Sequence, residues 1–255
     1  MIVLILTVLV ITLGILFNLI FCMVFEKLDA KKFQRENAIQ LACGFVVGCD
    51  GGGGGYNDGK SIEQKSGLKS AIYDFLSHYG YGLMRLSVLV TSRIPSNRIR
   101  NFMYRHVFRA KITKKTVING GVEIRSPWNL RADRCVVMSG CILDARHGIT
   151  IGEDVVFGTG VHIWTEEHDL NDPNFAVTPD HAKPVIIGER AWICSDSTIL
   201  PGTVIGDGSV VAARACVIED CAPFGVYGGV PAKIISSRNQ ELSYRLSGKP
   251  HWHFY

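Results

Sequence analysis

No charged side chain occurs in the first 25 residues, MIVLILTVLVITLGILFNLIFCMVF. A run of that length spans a bilayer as one helix. It lacks the basic start of a secretory signal, and its apolar stretch is too long for one, which argues against a cleaved leader. Glu26, Lys27, Asp29, Lys31, Lys32 and Arg35 follow. That basic flank predicts a single-pass protein of the inner (cytoplasmic) membrane, with the amino terminus outside and the rest in the cytoplasm. Acids are missing again between Asp74 and Glu123, where Arg85, Arg93, Arg98, Arg100, Arg105, Arg109, Lys111, Lys114 and Lys115 fall. Such a stretch can meet nucleic acid, but a membrane-held chain is badly placed for it, and no nucleic acid is expected. The eight cysteines, at 22, 43, 49, 135, 141, 194, 216 and 221, form no CxxC and no zinc-type cluster. They read as buried, reduced thiols of a cytosolic compartment.

What is present falls into five segments. Residues 1–25 are the transmembrane helix. Residues 26–67 include five consecutive glycines, which hold no regular structure cheaply and suggest a flexible linker. Residues 68–111 read as two basic amphipathic helices. In the first, Ile72, Phe75, Leu76, Tyr79, Leu83 and Leu86 share a face, and Pro95 stops it. The second follows a cap at Ser96 or Asn97, with Ile99, Phe102, Met103 and Val107 on one side. Helices of this kind beside a membrane span either meet anionic headgroups or pack on the next domain. The sequence leaves both open.

From residue 112 to 220 a six-residue rhythm takes over. Ile187, Ile193, Ile199, Ile205, Val211 and Val217 lie six apart, as do Ile151, Phe157 and Ile163. Ile118, Ile124 and Leu130, and then Val137 and Leu143, extend the series with slips of one or two residues. Two positions before the core residue the side chain is small or β-branched: Ala191, Ser197, Thr203, Ser209 and Ala215. A short strand and a sharp corner every six residues make a three-sided parallel β-solenoid, with coils stacked about 4.8 Å apart. One stretch, 164–184, breaks the rhythm and must protrude as a loop. Residues 221–255 close the domain.

These residues resemble the hexapeptide-repeat acyltransferases, whose domain is a left-handed parallel β-helix. The match is in the run KPVIIGERAWICSDSTILPGTVIGDGSVVAARACVIEDCAPFGVYGGVPAKII, which is similar to the maltose, galactoside and nodulation-factor acetyltransferase branch. IPSNRIRNFMYR upstream and the terminal HWHFY resemble its capsule and exopolysaccharide O-acetyltransferase subgroup. The resemblance covers about residues 93–255.

It implies an active homotrimer with acetyl-CoA as co-substrate in the groove between subunits, and no metal. His168, in TEEHDLNDP, matches the family's general base. Many relatives have proline directly after that histidine; here Asp169 follows and proline waits until 173. Neutral histidine suits the task, since its ordinary pKa lies near cytosolic pH. Glu166, Glu167 or a backbone carbonyl must orient its other nitrogen. Trp192 resembles the residue lying along the pantetheine arm. Ser195 and Ala213 fall where backbone groups meet its amides, and Lys233 and Arg238 where charges meet CoA phosphates. Many relatives have Thr–Lys where this chain has Ile218–Glu219. Asp144, His147, His162 and Glu166 are candidates for the acceptor side.

The implied function is a membrane-anchored O-acetyltransferase. It would move acetyl from acetyl-CoA to a sugar hydroxyl of a surface-polysaccharide precursor, such as a lipid-linked glycan. Two alternatives use the same residues differently. One is a non-catalytic membrane scaffold of a polysaccharide assembly complex. The other, a metalloenzyme like the γ-carbonic anhydrases, would use His162 and His168, but their interval departs from that pattern and gives Trp192 no purpose.

Overall fold

In the computed structural model, residues 2–44, 68–173, 175, 177 and 181–249 are described; for 2–5, 28–44 and 68–78 this means the backbone alone. The glycine tract and the terminal HWHFY lie outside the described residues.

Three parallel sheets wall a prism. Face one stacks Lys111–Ile112, Leu130–Ala132, Ile149–Ile151, Val185–Ile187 and Val204–Ile205. Face two stacks Val117–Ile118, Cys135–Val137, Val155–Phe157, Trp192–Ile193, Val210–Val211 and Gly225–Gly228, closed by the antiparallel strand Lys233–Ser237. Face three stacks Glu123–Arg125, Ile142–Asp144, His162–Ile163, Thr198–Ile199 and Cys216–Val217. Every parallel strand pairs with the one a full turn on: Ile187 with Ile205, Ile193 with Val211, Ile199 with Val217.

This register explains the period. All six aliphatic residues from Ile187 to Val217 are at most 1% exposed, forming a column along the axis. The small residues two positions earlier are buried too, and their hydroxyls are satisfied at the corners. Ser197, Thr203 and Ser209 donate to the carbonyls of Cys194, Leu200 and Ala222 at 2.8, 2.9 and 2.8 Å, as buried polar groups require. Glycine follows the core residue because a neighbouring coil leaves no room for more. A Cβ on Gly188 would sit 2.7 Å from the backbone nitrogen of Asp207. The buried thiols fit the same picture. Burial pushes Cys135, Cys141 and Cys221 up to about 12, 11 and 12, which leaves them inert.

Three helices cover the first coil. Helix α1 (Ile2–Gly44) is longer than the expected span. It runs on through 26–44, the start of the expected linker, where Glu, Lys, Leu, Ala and Gln are good helix formers. Helix α2 (Leu68–Ser92) and the short α3 (Asn97–Phe102), continued by a π-helical turn (Met103–Val107), occupy the basic segment. Several of its cations belong to the protein itself. Arg100 is fully buried, and it and Asn97 donate to Ile118 O, while Asn101 donates to Thr116 O. These side chains satisfy edge carbonyls that a first coil would otherwise leave open. Arg85 pairs with Glu123 at 2.7 Å, and Arg109 and Lys111 pair with Glu26 at 2.6 and 3.1 Å. Phe21, Cys22 and Phe25 of α1 pack into the same cluster as Trp128.

At the far end the chain turns back. Residues 238–249 run down the corner between faces one and two. Tyr244 donates to Arg190 O at 3.0 Å, and Leu246 N donates to Asp154 Oδ1 at 2.8 Å. Asp154 is buried and takes two further bonds from Arg134, at 2.7 and 2.9 Å. Those Arg134 bonds, with the Leu246 amide, hold the Asp154 carboxyl below its ordinary pKa. A carboxyl depressed in the folded state contributes stability above the unfolded pKa of about 3.9 and loses it as the pH falls through the folded value. Asp154→Asn is therefore expected to melt several degrees below the parent at pH 7 and to converge with it below about pH 3.9, as thermal unfolding across pH would show.

Candidate active site

Extra residues cannot enter a stacked prism, so residues 164–184 leave it at the corner between faces three and one. Their neck is closed by two backbone bonds, Glu167 N to His181 O at 2.9 Å and Lys183 N to Thr165 O at 3.1 Å. Thr165 ties the neck to the coil below: its hydroxyl donates to Asp144 O at 2.7 Å and accepts from His147 N at 3.0 Å. Trp164 N reaches the coil above at Ile199 O, 2.9 Å. His168 comes directly after this fixed neck.

The loop bends back on His168. Asp169 Oδ1 accepts from Asn171 N at 2.8 Å, and Phe175 N donates to Asp172 O at 2.9 Å. This returns Phe175 O to within 2.6 Å of His168 Nδ1, with the two rings stacked at 4.2 Å. A carbonyl only accepts, so Nδ1 carries the proton in neutral His168 and the Nε2 lone pair is left for chemistry. The orienting partner is thus a backbone carbonyl and neither Glu166 nor Glu167. Asp169, standing where relatives often have proline, makes the turn that brings it there.

Glu166 has other partners. Its carboxylate takes Arg146 Nη1 at 2.5 Å and His147 Nε2 at 2.9 Å. Arg146 also grips Asp144 through Nε and Nη2 at 2.9 and 2.6 Å. Asp144 is fully buried beneath it, so it positions Arg146 and does not itself face an open acceptor. The chain of charges continues through Arg125 to Glu123 and Arg85 on α2. Burial alone would raise the Glu123 carboxyl, but hydrogen bonds from Arg125 and Arg85 more than offset it and hold it below its usual range. His162, half-buried on face three, meets the Trp164 ring edge-on at 6.0 Å, and Arg125 lies over that ring at 5.1 Å. Of the acceptor candidates, His147 and Glu166 touch one another, and His162 sits one strand away.

The residues expected on the donor side lie elsewhere. Trp192 is 48% exposed on face two. Ser195 and the exposed Ala213 sit at the corner between faces two and three, and Lys233 lies on the closing strand. Lys233 Nζ pairs with Glu219 at 3.1 Å, both ends exposed. Such a pair is worth about 0–1 kcal/mol. The Arg238 guanidinium donates to Arg190 O and Gly208 O at 2.9 and 3.2 Å and lies over Tyr244. It fastens the returning tail. On the corner shared by Ser195 and Ala213, but at the first two coils, a cleft of about 570 Å³ is lined by Ser92, Arg93, Pro95, Gly121, Ser139 and Gly140.

Residues 184–219 match the model for the bacterial transferase hexapeptide (six repeats). The protein of Escherichia coli (strain K12) that carries the name colanic acid biosynthesis acetyltransferase WcaF is 37% identical over 142 residues, 55% of this chain and 76% of that protein. The chain belongs to the hexapeptide-repeat acyltransferase family. The lipopolysaccharide biosynthesis O-acetyl transferase WbbJ, also of Escherichia coli (strain K12), is 36% identical, over 36% of this chain and 52% of its own length. Among solved structures, the hexapeptide-repeat acetyltransferase VCA0836 of Vibrio cholerae has a TM-score of 0.56 at 25% identity, covering 67% of this chain and 94% of that one. The same fold is seen in its complex with acetyl coenzyme A, at a TM-score of 0.55 and 24% identity.

Asp144→Asn removes the charge that holds Arg146 against Glu166. Steady-state kinetics should show acceptor kcat/KM falling on the order of tenfold with the donor KM unchanged. A loss confined to the donor KM would place this network on the other side of the reaction.

Proposed function

We propose that this acyltransferase is an O-acetyltransferase held in the cytoplasmic membrane, moving acetyl from acetyl-CoA to a sugar hydroxyl of a surface-polysaccharide precursor. The observation that carries the catalytic part is the Nδ1–H bond of His168 to Phe175 O. It presents Nε2 as the acceptor for a hydroxyl proton from a loop whose neck is locked to the prism. As the sugar oxygen attacks the thioester carbonyl, its proton passes to Nε2. Collapse of the tetrahedral intermediate expels the CoA thiolate, which takes the proton back from His168. A base so placed contributes about 10²–10⁴-fold.

The proposed assembly is a homotrimer. His168 stands at the corner between faces three and one, whereas Trp192, Ser195, Ala213 and Lys233 stand on face two and its other corner. A single prism keeps these groups on separate faces; a neighbouring copy supplies the second wall of a cleft. The order along the axis also supports a meeting point. The cleft at Ser92 and Gly140 is at coils one and two, His168 leaves coil three, and the pantetheine candidates follow on coils four and five. Acceptor would then enter from the anchored end and donor from the opposite end.

The names of WcaF and WbbJ support a polysaccharide acceptor, and the acetyl-CoA complex of the Vibrio protein supports the donor. The apolar helix Leu6–Lys27 supports the anchor. His168→Ala should reduce transfer from acetyl-CoA to a saccharide by about 10²–10⁴-fold while the purified protein keeps its melting temperature. Unchanged turnover would remove His168 from the mechanism and favour the scaffold reading. Cutting before Asn18, which spares the docked part of α1, should leave activity on soluble acceptors and lower it on lipid-linked ones. Equal loss on both would contradict the role given to the anchor.

A further inference from the structure

From Tyr79 onward the apolar stripe of α2 points away from the protein. Tyr79, Leu83, Leu86 and Val90 are 68, 49, 56 and 60% exposed, and Ile99 and Phe102 on α3 are 51 and 58%. What α2 turns inward is Gly80, Met84 and Val88, with Phe21 of α1 lying directly over Gly80. An outward apolar ridge of this size needs a cover.

The neighbouring helix points to the cover. Helix α1 buries Asn18, Phe21 and Cys22 against the protein but leaves Phe17, Ile20, Met23 and Val24 exposed on its outer side. The two helices touch, so the apolar faces are continuous. Between them Asn18 Nδ2 donates to Ser87 Oγ at 3.0 Å, a link of the kind that joins helices in lipid. Hydroxyls on these surfaces turn inward: Thr12 donates to Val8 O and Ser87 to Leu83 O, both at 2.8 Å.

Length sharpens the point. Residues 2–17, the part of α1 before the buried Asn18, make about 24 Å of helix, short of the roughly 30 Å hydrocarbon core. The missing depth has to come from residues 18–24, which lie alongside α2. Glu26, paired with Arg109 and Lys111, marks where hydrocarbon must end. Exposed Arg93 and Arg98 edge the ridge, in a segment without acids, which suits anionic headgroups.

We infer that the outer face of α2 and α3 is a shoulder sunk into the cytoplasmic leaflet beside α1, with Leu83, Leu86, Val90, Ile99 and Phe102 among the acyl chains and Arg93 and Arg98 at the phosphates. The cleft lined by Ser92 and Arg93 then opens at headgroup level, where a sugar on a lipid carrier reaches it without leaving the leaflet. This rests on the membrane-anchored reading above.

The test uses the full chain in vesicles of phosphatidylcholine and phosphatidylglycerol brominated on the acyl chains. Tryptophan is introduced separately as Ile11→Trp, Leu86→Trp and, on solenoid face one, Ile186→Trp. Bromine should quench most of the added emission of Ile11→Trp and Leu86→Trp and leave that of Ile186→Trp unchanged. Quenching of Ile11→Trp alone would overturn the shoulder and leave the anchor standing. If neither is quenched, the anchor falls and the shoulder with it. Blue-shifted, unquenched emission from Leu86→Trp would mean that protein, such as a second copy of this chain, covers the ridge, and would also overturn the proposal.

Discussion

The stacking of coil on coil governs this molecule. Each turn must present its amides and carbonyls to the turns on either side at one fixed spacing, while one aliphatic side chain per face fills the axis. A wall so regular tolerates an extra residue at a corner but cannot absorb twenty inside a strand. The long insertion after Ile163 is therefore forced outward; its start is pinned to neighbouring turns by Thr165 and Trp164, and its end is tied back to that start by Lys183 N on Thr165 O. A protruding loop would ordinarily be a poor platform for chemistry. Here the rigid stack fixes its base, and the loop's own turn at Asp169 fixes the imidazole.

The same stacking separates the candidate residues. Faces and corners run parallel to the axis, so each groove is a track along which a long ligand can lie. Donor candidates follow one another up one corner, whereas the charge network from Arg85 to His147 climbs another. That network joins a helix beside α1 to the foot of the protruding loop through Glu123, Arg125, Asp144, Arg146 and Glu166. Its interior member, Asp144, has no exposure, so the arrangement is set by burial and not by solvent-facing pairs, which count for little.

Periodicity made the solenoid legible before any coordinates. Ile187 to Val217 report a local rule, one inward residue per strand, that survives in linear order. The break at 164–184 was legible for the same reason. Other features have no linear signature. A carbonyl such as that of Phe175 is present at every residue, and only the loop's closure selects it. An apolar stripe shows which side of α2 avoids water, not whether protein or lipid covers it. Arg100 and Arg98 look alike in a basic run, yet one is a buried cap on the first coil and the other is exposed. The bonds of Arg238 to Arg190 O and Gly208 O have no linear signature either, because a cation near the carboxyl end carries no mark of the backbone it fastens.

The returning tail has a consequence for how such a protein can change size. From Leu242, against Gly208, to Gly248, against Lys115, six residues of extended chain reach about 20 Å, close to four interstrand spacings of roughly 4.8 Å. The tail thus works as a ruler laid against the finished prism. Duplicating one eighteen-residue turn would lengthen the prism but not the ruler, and Asp154 and Arg190 would slide out from under Leu246 and Tyr244. Gene-level growth of the repeat must therefore be matched by one or two residues added near the carboxyl end, which ties two distant stretches of the chain to a single inherited length.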